Sequence, residues 1–265
     1  RANYDGEHVI VPVSFNRKFI DEFNELINKH VIQILNELNG GDFIKKCEGN
    51  SVNMDKLVRK IEVPLARKII EKSGLYIATK KDISRLADVA MDAYEDYPLH
   101  NYFTKGKYDK KASKLIMEIS LKIMMKDALI YADSEDINGF AVWLPFGFTG
   151  SKTFPFLFSG GLKLIFHSGL GIISRLLNYQ KYAMNLKKEY TDNYDWYLYN
   201  LSIKKDAQGK GIASKLMKPM LSFCDNEAMV AYLETNKESN VSLYEHYGFI
   251  LNKKECIPNT NVIHY

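Results

Sequence analysis

The stretch that decides the fold is WYLYNLSIKKDAQGKGIA, residues 196–213. Trp196, Leu198, Asn200 and Ser202 alternate with Tyr197, Tyr199, Leu201 and Ile203. These residues are rich in aromatic and β-branched types and read as a strand. A polar turn, Lys204 to Gln208, follows. Gly209 and Gly211 then open a helix, because Ala213, Leu216, Met217, Met220 and Leu221 recur at three- and four-residue steps. A strand that feeds a glycine-bearing turn and a helix N-terminus is suited to holding phosphate. First-turn N–H groups lack intrahelical acceptors, the helix dipole adds partial positive charge, and glycine lets an oxygen come close to the backbone. Lys204, Lys205, Lys210 and Lys215 add charge around that mouth. A surface turn with solvated lysines would carry the same residues.

Two familiar glycine motifs are excluded. The Gly209–Gly211 spacing is too short for G-x-x-x-x-G-K-[ST]. A dinucleotide fingerprint would need a third glycine where Ser214 stands.

Gln208-Gly209-Lys210-Gly211-Ile212-Ala213 resembles the Q/R-x-x-G-x-G/A pyrophosphate loop of the GNAT superfamily of N-acetyltransferases. Downstream, Tyr232-Leu233-Glu234-Thr235, Asn240-Val241, Tyr244 and Tyr247-Gly248-Phe249 fall at that superfamily's spacing. The combination is similar to the bacterial branch that includes puromycin N-acetyltransferase. The resemblance is firm over about residues 195–252 and looser back to about Leu75; residues 1–74 match nothing we can name. It implies an α+β protein with the GNAT acyl-CoA N-acyltransferase fold: a mixed, mostly antiparallel sheet of six to seven strands flanked by helices, occupying residues 75–265.

Ahead of it, residues 1–74 read as a helical extension. Residues 1–14 read as an extended arm. Residues 15–38 carry a helical apolar stripe from Phe19 to Leu38, ended by Gly40-Gly41. Residues 53–62 and 64–73 read as two shorter helices, with Pro64 as the first residue of the second. Twelve Lys/Arg against eleven Asp/Glu in residues 1–74 speak against DNA binding. The segment suits a packing extension, a dimerisation face or a partner module.

The catalytic part begins with a strand at Leu75 to Thr79 and a helix at Asp82 to Tyr94. An irregular aromatic stretch follows, Glu95 to Tyr108, and then a helix from Lys111 to Lys126. Ala128–Asp133 and Gly139–Pro145 read as a strand hairpin. Thr149 to Asn193 reads as a helical insertion. Tyr97, His100, Tyr102 and Phe103, with Phe154, Phe156, Phe158, Phe166 and Tyr179, are candidate pocket residues by resemblance; plain core packing would use the same residues. After the loop come a strand at Met229–Thr235, a short helix at Ser239–Tyr247, and strands at Phe249–Cys256 and Thr260–Tyr265.

The 265 residues are 46% hydrophobic and 26% charged, with a net charge of +4, which is too weak to argue for nucleic acid. Cys47, Cys224 and Cys256 give neither a metal spacing nor a disulfide framework. Together with the absence of an apolar signal core in residues 1–25, they point to a cytoplasmic protein. The most apolar stretch, Phe154 to Leu177, is broken by four glycines and carries Lys163, His167 and Arg175. A span wants about 20 mostly uncharged residues, so no membrane association is expected. The six histidines are scattered in sequence and define no triad or metal cluster.

The resemblance then assigns roles. Acetyl-CoA is the cosubstrate, and its acetyl group passes directly to an amine without an acyl-enzyme. The backbone of Asn200, Leu201, Ser202 and Ile203 runs along the acetyl-pantetheine arm, with the Leu201 N–H as oxyanion donor. Such a donor is typically worth about 3–4 kcal/mol. Gln208, Gly209, Lys210, Gly211, Ile212, Ala213 and Ser214 cradle the pyrophosphate, Asn240 bonds the carrier arm, and Tyr247 lies against the carrier. Tyr244, a phenol protonated at neutral pH, is the general acid, with Tyr247 as its substitute. Glu234, if burial raises its pKa, accepts the ammonium proton; a structural glutamate is the other reading. His246 reads as a surface residue. The expected acceptor is a primary amine of a small molecule, and a homodimer is compatible with the sequence. A peptide or protein N-acetyltransferase and a non-catalytic acetyl-CoA sensor remain the competing readings. A pocket closed by residues 95–108 and 149–190 separates the first from a peptide enzyme, which needs an open groove.

Overall fold

The computed structural model describes residues 3–4, 9–10, 54–95, 97–145, 148, 156–191 and 195–265. Elements are numbered in chain order among these residues. Contacts divide the chain into two units, 1–54 and 55–265. In the first, β1 (Asn3–Tyr4) pairs antiparallel with β2 (Val9–Ile10). The expected helix over 15–38, Cys47 and Phe154 lie outside the described residues.

The second unit begins at Asp55. Here the sequence reading of two helices broken at Pro64 is corrected. One helix, α1 (Met54–Lys72), runs through Pro64. An internal proline costs about 3 kcal/mol or more. Ala66 and Ile70 are fully buried in the core beneath the sheet, with Val63 packed against it, and that burial offsets the break.

Five strands form the central sheet in spatial order β3 (Tyr76–Ile77), β4 (Leu129–Ala132), β5 (Gly139–Leu144), β6 (Asp195–Ile203) and β7 (Val230–Leu233). All neighbours are antiparallel except β6 and β7, which are parallel. Alternation sorts the side chains of β4 and β5 onto two covered faces. Leu129, Tyr131, Ala141 and Trp143 pack with α1 and with α7 (Ile212–Asn226), through Leu216, Met217, Met220 and Phe223. Ile130, Ala132, Phe140, Val142 and Leu144 pack with α2 (Ile83–Ala93) and α4 (Lys110–Met124).

Beyond that second face lies a third apolar cluster. It joins α3 (Pro98–Phe103), α4, α5 (Leu162–Ser168) and α6 (Leu170–Tyr190). The stretch expected to be irregular therefore holds a short helix, started by Pro98 at its first position.

Two departures from the expected sheet matter for the site. The strict alternation read from residues 196–203 is interrupted. Val142 faces Asn200 while Trp143 faces Leu198, so Tyr199 is an extra residue on β6. Such a bulge shifts the later residues to the opposite face. Trp196 and Leu198 pack toward α7, whereas Asn200 and Ser202 turn toward Tyr94 beside α2.

Among the described residues the mixed sheet has five strands, where six to seven were expected. Phe249 to Lys254 forms no strand, and β8 (Glu255–Cys256) pairs only with β9 (Ile263–His264) as a separate ribbon. The carboxyl end of β7 is taken up instead by Tyr265, which exchanges backbone hydrogen bonds of 3.1 and 2.9 Å with Thr235.

Candidate active site

The site begins where β6 and β7 stop pairing. Their register runs from Asp195↔Val230 to Leu198↔Leu233 and ends there, while β6 continues to Ile203. The remaining edge of β6 is open, and its polarity follows from the ladder. Lys204 N–H donates to Asn138 C=O at 2.9 Å. In an antiparallel pair the bonded positions alternate, so Asn200 and Ser202 face β5 and Leu201 and Ile203 face the open edge. Two contacts agree with this. Leu201 C=O accepts from the Tyr94 hydroxyl at 3.4 Å, and Ile203 C=O accepts from Gln208 Nε2 at 3.1 Å. The Leu201 N–H therefore lies on the open edge of β6.

The loop that follows is built as the sequence suggested. Gly209 (φ 74°) and Gly211 (φ 79°) hold left-handed conformations that disfavour other residues. Gly211 is the N-cap of α7, and no side chain caps that helix. The first intrahelical bond there is Lys215 N–H to Gly211 C=O, 3.0 Å, which leaves the preceding amides of Ile212, Ala213 and Ser214 without intrahelical acceptors. A Cβ placed on Gly209 or Gly211 would meet nothing within 4 Å, so the space outside the loop is open. This arrangement fits a pyrophosphate. Gly139 presses against it from below: a Cβ there would stand 2.8 Å from Ile212 Cγ2 and 3.1 Å from Ser202 C=O. Lys215 is turned to Asp133 C=O at 2.8 Å, and Ser214 Oγ meets the Tyr247 hydroxyl at 2.8 Å. Tyr247 thus sits against the first turn of α7 and does not line the central cavity.

From the open edge a cavity of about 350 Å³ runs between β6, the end of β7, α3, α4 and α6. Leu201, Glu234, Asn240 and Tyr244 all line it, so four residues scattered over the sequence share one space. Of the aromatic candidates, Tyr97, His100, Phe103, Phe156 and Tyr179 line it as well. Tyr102 does not, and Phe158 and Phe166 are 81% and 87% exposed, which corrects the expectation that they face the pocket. Asn240 lies near the start of the short helix α8 (Val241–His246) and donates to Thr235 Oγ1 at 3.2 Å. Burial raises the Tyr244 phenol above its ordinary value, so it stays protonated.

Glu234 is the cavity's carboxylate. Its side chain is 4% exposed. Burial raises its pKa to about 7, against phenol hydrogen bonds from Tyr232 (2.8 Å) and Tyr197 (3.2 Å) and the charge of Lys187, which all favour the ionised form. A group poised there can hold or release a proton near neutral pH.

Sequence reasoning missed its remaining neighbours. Lys187, on α6, lies 2.8 Å from Asp195 and above the rings of Tyr197 and Tyr232. His264, on β9, holds Nε2 3.8 Å from Glu234 Oε2. Asn236 Nδ2 donates to Ile263 C=O and reaches His264 Nδ1 at 3.3 Å, which assigns the proton to Nε2 on the side of Glu234. Burial lowers the pKa of His264 to about 4, so it is neutral. His100 is neutral for the same reason. Tyr94 donates to Leu201 C=O and accepts from Asn200 Nδ2 at 2.9 Å, tying α2 to the bulged half of β6. Among the described residues no group of three or more His, Cys, Asp or Glu could hold a metal ion, and no helix is long and apolar enough to cross a membrane.

Comparison with known proteins bears on this arrangement. Residues 184–261 match the family model described as an acetyltransferase (GNAT) domain. An uncharacterized N-acetyltransferase of Schizosaccharomyces pombe is 28% identical over 194 residues, covering 68% of this chain and 76% of that protein. Among solved structures, histone acetyltransferase HPA2 and related acetyltransferase from Corynebacterium glutamicum aligns with a TM-score of 0.48 and 17% identity, over 72% of this chain and 92% of the other. An N-acetyltransferase from Staphylococcus aureus aligns with a TM-score of 0.44 and 15% identity, over 72% and 96%. The matched segment carries the end of α6, the parallel strand pair, the glycine loop and Tyr244, so it is this part of the chain that is similar to a GNAT acetyltransferase domain; the protein is an acyltransferase.

Proposed function

We propose that the protein transfers an acetyl group from acetyl-CoA directly to the primary amine of a small molecule. The observation that carries the small-molecule reading is the covered acceptor end of the cavity. Helix α6 crosses it and is fastened to α3: Arg175 Nε donates to Phe103 C=O at 2.7 Å, and the rings of Phe103 and Tyr179 pack edge to face with centroids 5.7 Å apart. A peptide-modifying enzyme needs an open groove at this point.

Acetyl-CoA would supply the activated thioester; the chain's own residues do the rest. The uncapped first turn of α7, with Gln208 to Ser214, binds the diphosphate through backbone N–H groups. The open edge at Leu201 to Ile203 orients the arm, and the Leu201 N–H donates to the carbonyl oxygen. Asn240 holds the arm from the β7 side. Glu234 takes the ammonium proton, helped by its raised pKa. Tyr244 donates a proton at the sulfur. Tyr247, bonded to Ser214, supports the diphosphate end. The similarity of the Tyr232–Thr235 strand and the Asn240–Phe249 ending to the puromycin N-acetyltransferase branch supports an acceptor of drug-like size.

Thiol release measured with a panel of amines tests this reading. Release that depends on an added small amine is expected. Release only with a peptide, or binding of acetyl-CoA with no release for any amine, overturns it.

A further inference from the structure

The charge pattern inside the cavity says which amines would fit. This inference rests on the acetyltransferase reading and goes one step further, to the substrate class. Among the described residues that line the cavity, the ionic side chains are Glu234 and Lys187. Most of the rest are apolar or aromatic, among them Phe103, Ile119, Phe148, Phe156, Leu164 and Leu176. Lys187 is already engaged: its ammonium lies 2.8 Å from Asp195, which is fully buried, and above two tyrosine rings. Arg175, the nearby guanidinium, is spent on Phe103 C=O. Among the described residues the cavity thus offers one carboxylate for one ammonium and no unengaged cation for an anion.

We propose that the acceptor is a monoamine with an apolar, uncharged body, and that the Lys187–Asp195 pair excludes amines that also carry a carboxylate. Burying a carboxylate without a partner cation is costly, because desolvation of the ion is not repaid. A second ammonium meets the same difficulty, since Glu234 is the cavity's single carboxylate among the described residues. The groups that face Glu234 act in the same direction. Tyr197 and Tyr199 from β6, Tyr232 from β7, Tyr97 beside α3 and Tyr179 from α6 are phenols, each held above its ordinary pKa first by burial. Tyr182 from α6 bonds Glu255, and His264 is neutral. None of these supplies a positive charge for a carboxylate.

The decisive pair of probes differs by one carboxylate: phenethylamine and phenylalanine. Two readouts apply to the full chain. One is kcat/KM from thiol release with acetyl-CoA. The other is calorimetric affinity for the amine in the presence of CoA, which involves no turnover. Phenethylamine is expected to exceed phenylalanine by at least a hundredfold in both, and to exceed spermine by at least tenfold in kcat/KM. Equal use of phenylalanine, or a preference for spermine or for a lysine-bearing peptide, overturns the inference while leaving an acetyltransferase. No release with any amine overturns the acetyltransferase reading itself.

Asp195→Asn sharpens the cause. With the lysine released from its partner, the preference against phenylalanine is expected to shrink about tenfold. An unchanged ratio in a variant that still binds CoA overturns the role given to this pair. Should the variant fail to fold, the wild-type comparison still decides the substrate class.

Discussion

Helices α4 and α7 are each 15 residues long, yet they begin in opposite ways. At α4, Asp109 precedes the first turn and accepts from Ala112 N–H at 2.9 Å; His167 Nε2 lies 3.0 Å from the same carboxylate. That helix end is closed by its own chain. At α7, Gly211 occupies the same place, φ 79°, with no side chain to offer and open space around it. An N-cap carboxylate or hydroxyl is worth about 1 kcal/mol, and α7 forgoes it. A helix end that forgoes a cap can accept an outside anion, so the contrast separates an end used for folding from one available for binding.

Moving the cap from one helix to the other breaks the contrast most strongly. Gly211→Asp places a carboxylate where the diphosphate would sit. Acetyl-CoA affinity, measured by calorimetry, is expected to fall by about a hundredfold, through charge repulsion and occupied amides. The complementary Asp109→Ala is expected to cost about 1 kcal/mol of unfolding free energy and to leave that affinity unchanged. If both variants bind acetyl-CoA alike, the open end is not the phosphate site.

Tyr244→Phe tests the other end of the cavity. Removing a general acid typically costs about 10² or more in rate. A fall in kcat of about a hundredfold with unchanged acetyl-CoA affinity is expected; equal losses in both would make Tyr244 a binding residue.

Glu234 extends the same contrast from helix ends to side chains, and its signature is in pH. Its folded pKa, about 7, lies above the ordinary 4.5. The folded state therefore holds this proton more tightly than the unfolded chain. The stabilisation is complete below about pH 4.5 and is lost as pH rises through 7. Glu234→Gln abolishes that dependence, so the variant's melting temperature relative to wild type is expected to rise between pH 5 and pH 8. The wild-type kcat/KM is expected to increase through pH 7 as the base ionises. The variant should lose that limb and about tenfold in activity. The smallest effect expected is that of Gly139→Ala. Its new methyl meets Ile212 and the Ser202 carbonyl, and a few-fold rise in the KM for acetyl-CoA measures how far the loop is pushed.

The parts of this site legible in sequence are local ones. Strand, glycine turn and helix over residues 196–213 form one contiguous unit, and turn chemistry needs no distant partner to be read. Tyr244 and Asn240 follow at a fixed spacing from that unit. What sequence could not give are pairings across long separations. Tyr94 reaches Leu201 across 107 positions, and Lys187 meets Asp195 only because α6 turns back onto β6. His264 comes to Glu234 because Tyr265 pairs with Thr235 at the end of β7. The bulge at Tyr199 leaves no mark in a run that alternates well, and Pro64 reads as a break because burial of Ala66 and Ile70 is invisible to local rules.

The short β6–β7 ladder sets two demands on the sheet against each other. Each further rung past Leu198↔Leu233 would add backbone hydrogen bonds and strengthen the sheet, and each would also seal the gap in which we propose the carrier binds. Thermal robustness and catalysis therefore pull against each other at this seam. Hydrogen exchange should find β6 protected throughout up to Leu198, and beyond it protected only at the amides that face β5, with Leu201 and Ile203 exchanging fast until a bound carrier takes the place of the missing strand.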